Sequence, residues 1–309
     1  MAAVERFPAS RTALIPAPLT EQTEVPPRGF SNMENRRSRK HVLDWIGCAS
    51  FRHTVNDLLG STGVTINSRD IHRPVGHGDG VEFELPDFCW CFRPRWKVHD
   101  CLRSWWCPSS QLNKGSRTPL WDLISTCTVL GRKGLLLVEA KTHEGELVWK
   151  SHQARINHDH VRTAVANISH LLTTVSGAKV SLDVDNDYQL AVRVAWATFL
   201  ASKGIPVALL YLGFTGDSTT PDFLRDDAHW QRSMGAYMLG KLPLTLPEKW
   251  LRFPGGGLFS FVIRSRPVLE IRPNGHQRKN WPARIKASPV SDQPRSAPQD
   301  KPASVGFGP

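Results

Sequence analysis

The sequence predicts an α/β fold, a mixed central sheet flanked by helices, set between two basic, proline-rich ends. Three observations carry this expectation. Residues 135–141 and 205–213 are short apolar runs bounded by glycine, the pattern of strands buried on both faces. Helix-spaced segments lie between them, and strands joined through helices imply a sheet with helices packed on it. The ends look different: residues 1–40 and 272–309 hold 12 of the 23 prolines and no apolar periodicity.

Residues 41–59 place Val42, Trp45, Ile46, Ala49, Val55 and Leu58 at threes and fours, predicting one helix that Gly60 ends. Residues 61–80 are rich in Gly, Asp and Ser and read as loop. Residues 81–92 start with strand alternation, which Pro86 interrupts. Residues 93–118 read as irregular, basic and Trp-rich, and 89–117 as an insertion. Residues 121–130 are β-prone, GRKG (131–134) suits a turn, and 135–141 completes a hairpin. Residues 152–175 read as a long helix. Asp187 is placed to cap a second helix over 188–203, closed by Gly204. A strand at 205–213, a helix at 221–238 and a β-rich piece at 259–271 follow. The domain is thus expected over 41–271, with disordered tails at 1–40 and 272–309.

Hydrophobic residues make up 40% of the 309, enough for a sizeable core. The net charge of +11 and pI of about 9.7 suggest a polyanionic partner. The tails supply most of that charge: seven Lys/Arg against four Asp/Glu in 1–40, and seven against two in 272–309. No apolar run approaches the roughly 20 residues of a membrane span. The expectation is a soluble, cytoplasmic protein without a membrane partner; the oligomeric state stays open, a dimer included. Cys89, Cys91, Cys101 and Cys107 admit a zinc reading, but no pair has CxxC spacing, and buried apolar thiols are the alternative.

Chemistry concentrates at Val138-Glu139-Ala140-Lys141. Side chains alternate along a strand, so Glu139 and Lys141 share a face with Leu135 and Leu137. A carboxylate and an ammonium at the end of a buried strand cost energy unless paired or bound to an ion. Across the hairpin Asp122 opens the preceding strand and can approach Glu139. Two carboxylates with the Ala140 carbonyl suit Mg²⁺ or Mn²⁺, and Lys141 stands beside them to orient a water and offset charge. A lone Glu-x-Lys arises by chance about once per 300 residues, so its context carries the weight. A surface ion pair at a strand end is the competing reading.

The segment TPLWDLISTCTVLGRKGLLLVEAK (118–141) resembles the central motif of the PD-(D/E)XK, or restriction-endonuclease-like, nuclease superfamily. YQLAVRVAWATFLASKGIPVALLYLGF is similar to uncharacterised bacterial proteins with the same motif. The resemblance spans about 41–213 and departs from the pattern where Leu120-Trp121 precede the aspartate. It implies an α-β-β-β-α-β core and metal-dependent hydrolysis of nucleic acid, DNA foremost. Asp122, Glu139 and Lys141 would be catalytic, and Asp122, Glu139 and Ala140 would hold the metal. A catalytically inactive relative that binds nucleic acid or protein is the runner-up. None of the three residues is expected to be needed for folding.

Further candidates surround this centre. Gln153 could touch a phosphate or the attacking water. Arg93, Arg95 and Lys97 could grip phosphates while Trp105 and Trp106 stack on bases, or the tryptophans could form a satellite core. Glu144 and Glu146 read as loop residues, and His152, His158 and His160 as solvated helix histidines. Gln189 and Arg193, four apart, either point at the site or pair with each other. Gly76–Gly80 reads as a flexible loop that does not match a P-loop.

Overall fold

The structure, a computed structural model, describes residues 37–77, 83–88, 95–107, 118–148 and 157–268. Residues 1–36 and 269–309, Gly78–Gly80, Arg93, Cys89, Cys91, His152 and Gln153 lie outside the described residues, and of Arg95 and Lys97 only the backbone is described.

The chain opens with α1 (Arg37–Ile46) and α2 (Phe51–Leu59), then short strands β1 (Val64–Thr65), β2 (His72–Arg73) and β3 (Phe83–Glu84). Two helices follow, α3 (Leu85–Phe88) and α4 (Arg95–Trp106). Next come β4 (Leu120–Trp121), β5 (Leu123–Val129) and β6 (Arg132–Lys141). Helices α5 (His158–Ser176) and α6 (Tyr188–Ser202) lead to β7 (Val207–Thr215). Helix α7 (Asp227–Met238), β8 (Leu251–Arg252) and β9 (Leu258–Pro267) complete it.

The main sheet is mixed, in the order β1-β5-β6-β7-β9-β8, with β2 also pairing β5. Strands β5 and β6 are antiparallel, and β6, β7 and β9 run parallel. Both faces are covered, and β7 is buried along its whole length. On one face Leu135, Leu137, Tyr211 and Phe261 pack with α5, α6 and α7 through Val165, Trp196 and Trp230. On the other, Leu136, Val138, Leu210 and Phe214 pack with α1 and α2 through Trp45 and Val55.

Several local expectations change: residues 61–80, read as loop, carry β1 and β2, and the stretch read as a strand at 81–92 contains α3. The helix expected over 41–59 is two helices, broken at 47–50. Gly47 is a weak helix former, and the break lets Trp45, Ile46, Phe51 and Val55 all reach one core, although a straight helix would spread them around its circumference. The hairpin turn is Leu130-Gly131 rather than 131–134, and both residues have positive φ, as a two-residue turn of this twist requires. Gly134 lies inside β6, where a Cβ would stand 2.5 Å from the Pro206 carbonyl oxygen. Finally, the stretch read as irregular contains α4, whose Trp105 and Trp106 pack on α6.

Candidate functional site

The hairpin register determines what meets at the end of β6. Leu123 pairs Val138, the last pair of the β5–β6 ladder. Continuing that register sets Asp122 opposite Glu139, but the chain leaves the ladder there and Asp122 turns its side chain inward. Its Oδ2 accepts the Ala140 N–H at 2.8 Å. In an extended strand the N–H and C=O of one residue point the same way. The Ala140 carbonyl therefore points toward the Asp122 side, away from β7.

Glu139 and Lys141 are each only 3% exposed. Lys141 Nζ donates to Glu139 Oε1 at 2.5 Å and to Gln189 Oε1 at 2.8 Å. Arg193 Nε donates to Glu139 Oε2 at 2.6 Å. Both residues come from α6, so their four-residue spacing aims them together at the strand end instead of at each other. Arg193 is the sole charged residue of that helix. Its guanidinium lies 4.5 Å from the Trp121 ring centroid, an aromatic platform that sequence alone did not reveal. Gly213, opposite Lys141 in the β6–β7 register, leaves room for Trp230, whose Cδ2 would stand 2.6 Å from any Cβ there.

Burial opposes the charge on Glu139, yet the Arg193 and Lys141 cations outweigh it and hold the carboxyl below its ordinary range. Arg193 is likewise desolvated, and the Glu139 charge more than compensates, with Asp122 adding to it. Tyr211 is pushed well above the ordinary phenol value, first by burial. Its hydroxyl is buried without a hydrogen-bond partner. Asp122, Glu139, Lys141 and Arg193 thus form one electrostatic cluster, two anions against two cations.

The donors here suit a hard divalent cation in kind: two carboxylates and a backbone carbonyl, with water completing the shell of Mg²⁺ or Mn²⁺. Among the described residues no group of three or more His, Cys, Asp or Glu is placed to hold a metal. Both Glu139 oxygens already accept from cations. Each oxygen keeps a lone pair, so what opposes a metal on Glu139 is the charge of the two cations already beside it.

The secondary candidates have other partners. Glu146 accepts the Thr142 N–H at 2.7 Å and the Ser38 hydroxyl at 3.1 Å, fixing the loop after β6. Glu144 accepts the Ser233 hydroxyl at 2.5 Å and lies 3.1 Å from His229 Nε2. His158 sits 2.6 Å from Asp185, and His160 2.9 Å from the Trp105 carbonyl oxygen. His77 pairs with Asp44. Trp105 stacks on Phe199 at 4.0 Å, and Trp106 is buried against Trp196. Their rings face the core of the protein. Cys107 and Cys127 are buried thiols, Cys48 and Cys101 partly so. No helix among the described residues is long and apolar enough to cross a membrane.

A buried pair that sequence reasoning missed lies on the α1 face. His41 Nε2 is 2.9 Å from Asp217 Oδ2, and the Thr219 and Thr220 hydroxyls also donate to this carboxylate. It ties α1 to the loop after β7. Nothing in the spacing of His41 and Asp217, 176 residues apart, signals it.

Compared with known proteins, the chain matches no family model, no curated protein and no solved structure.

Proposed function

We propose that this chain is a divalent-metal-dependent nuclease of the restriction-endonuclease-like kind, hydrolysing phosphodiester bonds of nucleic acid, with DNA as the preferred substrate. The observation that carries the reading is the convergence at one strand end: Asp122 on the Ala140 N–H, Glu139 and Lys141 buried beside it. The topology supports it too. The β5–β6 hairpin is followed by a two-helix crossover to a parallel β7, in a mixed sheet flanked by helices, as the reading requires in outline.

In this reading Asp122, Glu139 and the Ala140 carbonyl hold Mg²⁺ or Mn²⁺. The ion supplies Lewis acidity, acidifying a water and bracing the scissile phosphate. Lys141 has three N–H donors and spends two on Glu139 and Gln189. The third is available to orient the attacking water and to meet charge growing on the phosphate oxygens. Gln189 fixes the ammonium in place. Arg93, Arg95, Lys97 and Gln153 remain candidates for gripping the nucleic-acid backbone.

A second reading, a catalytically inactive nuclease-fold protein that binds nucleic acid or protein, draws on the occupancy of both Glu139 oxygens by cations. The two separate in one assay. Purified protein is incubated with plasmid, single-stranded DNA and RNA, with Mg²⁺, Mn²⁺ or EDTA. Cleavage dependent on the ion supports the nuclease; binding without cleavage in every condition supports the inactive binder.

A further inference from the structure

The cluster is balanced as it stands, with Asp122 and Glu139 facing Lys141 and Arg193. Retaining both cations on Glu139 while adding a divalent ion would set four positive charges against two negative in a desolvated site, which is strongly unfavourable. We propose that Arg193 is the exchangeable counter-ion of this site: it holds Glu139 Oε2 in the resting protein and transfers to a nucleic-acid phosphate when metal and nucleic acid enter together. The inference rests on the nuclease reading and adds to it a coupling between the two ligands.

Arg193, not Lys141, is the cation placed to move. Lys141 has a second acceptor in Gln189 and a side chain only 4% exposed. Arg193 has Glu139 as its one carboxylate partner among the described residues, and its side chain, 12% exposed, reaches nearer solvent. On leaving Glu139 its guanidinium keeps the Trp121 ring as a support. Its planar fork of N–H donors matches a phosphate as well as it matches a carboxylate. The phosphate brings the negative charge that the metal otherwise lacks. Arg193 is therefore a positioning residue before binding and a phosphate contact after it. By linkage, nucleic acid must tighten metal binding by the same factor that metal tightens nucleic-acid binding.

The test is equilibrium binding of Mn²⁺ to the full chain, with and without a DNA duplex carrying hydrolysis-resistant phosphorothioate linkages. For wild type, Mn²⁺ affinity should rise at least about tenfold when the duplex is present, within the usual range of site-to-site coupling. Arg193→Gln should bind Mn²⁺ alone at least about tenfold more tightly than wild type and lose most of that coupling, because no cation competes for Oε2. Arg193→Lys keeps a cation beside Glu139 and should keep part of the coupling; with the wild-type measurement it decides the matter if Arg193→Gln does not fold. Equal Mn²⁺ affinity of wild type with and without DNA would overturn the proposal, as would a folded Arg193→Gln that binds Mn²⁺ no more tightly. If wild type still cleaves DNA, the nuclease reading survives that failure. If no form binds Mn²⁺ and none cleaves, both readings fall together.

Discussion

Glu139 is buried at the end of β6 with a cation on each side of its carboxylate. The sequence reading expected all three catalytic candidates to be dispensable for folding; the burial of this pair separates them. Glu139→Gln would leave Arg193 and Lys141 buried without their anion. Removing one partner of such a network costs about 3–5 kcal/mol. Lys141→Ala leaves Arg193 on the carboxylate, so its cost should be clearly smaller. Urea unfolding of both variants checks this order, and equal losses would contradict it. Alternation along β6 made the shared face of Glu139 and Lys141 legible in the sequence. Arg193 left a fainter sign, a single charge on an otherwise apolar helix. The Trp121 platform left none, because it depends on how β4 and α6 meet in space.

At the scale of elements, β5, β6, α6 and β7 were readable from periodicity and glycine boundaries, and their bounds shift by a few residues at most. What escaped was set by tertiary contact. The turn lies at Leu130-Gly131 because the ladder runs on to Val129 and Arg132, and Gly134 serves a close approach to the Pro206 carbonyl instead. Helix α4 hid because Trp105 and Trp106, which pack on α6, stand in a run of charged and polar residues without clear apolar spacing. The tie between α1 and the loop after β7 was invisible too, and it carries a pH signature. Burial disfavours the Asp217 charge, but hydrogen bonds from His41 and Thr219 prevail and bring the carboxyl down to about 2 from 3.8. A carboxyl depressed in the folded state gives stability that is fully present above its unfolded value and lost as pH falls through the folded one. Wild type should therefore lose this contribution between about pH 4 and pH 2. Asp217→Asn should be less stable at neutral pH and show a shallower decline across that window. Circular dichroism during acid titration measures the difference; identical profiles would remove Asp217 from the account.

For the whole molecule, most of the net charge lies outside the residues expected to form the domain. Net +11 is concentrated in the ends, while residues 41–271 are near balance. Helix α1 includes Arg37–Lys40, residues that the sequence reading assigned to the N-terminal tail. Nucleic-acid affinity that depends on many cations falls with salt in proportion to the phosphates neutralised. The full chain should accordingly lose affinity for DNA more steeply with salt than residues 37–268 alone, while the cleavage site stays in the shorter form. Parallel slopes would place the binding surface within the domain.

The central claim is that Lys141 acts in chemistry at the end of β6. The measurement is DNA cleavage in Mg²⁺ or Mn²⁺ by wild type and Lys141→Ala, beside a metal-free DNA-binding titration and a circular dichroism spectrum of each. Lys141→Ala should fold, bind DNA nearly as wild type does, since the buried Lys141 adds little to the surface that DNA meets, and fail to cleave it. Cleavage by Lys141→Ala at the wild-type rate would contradict it.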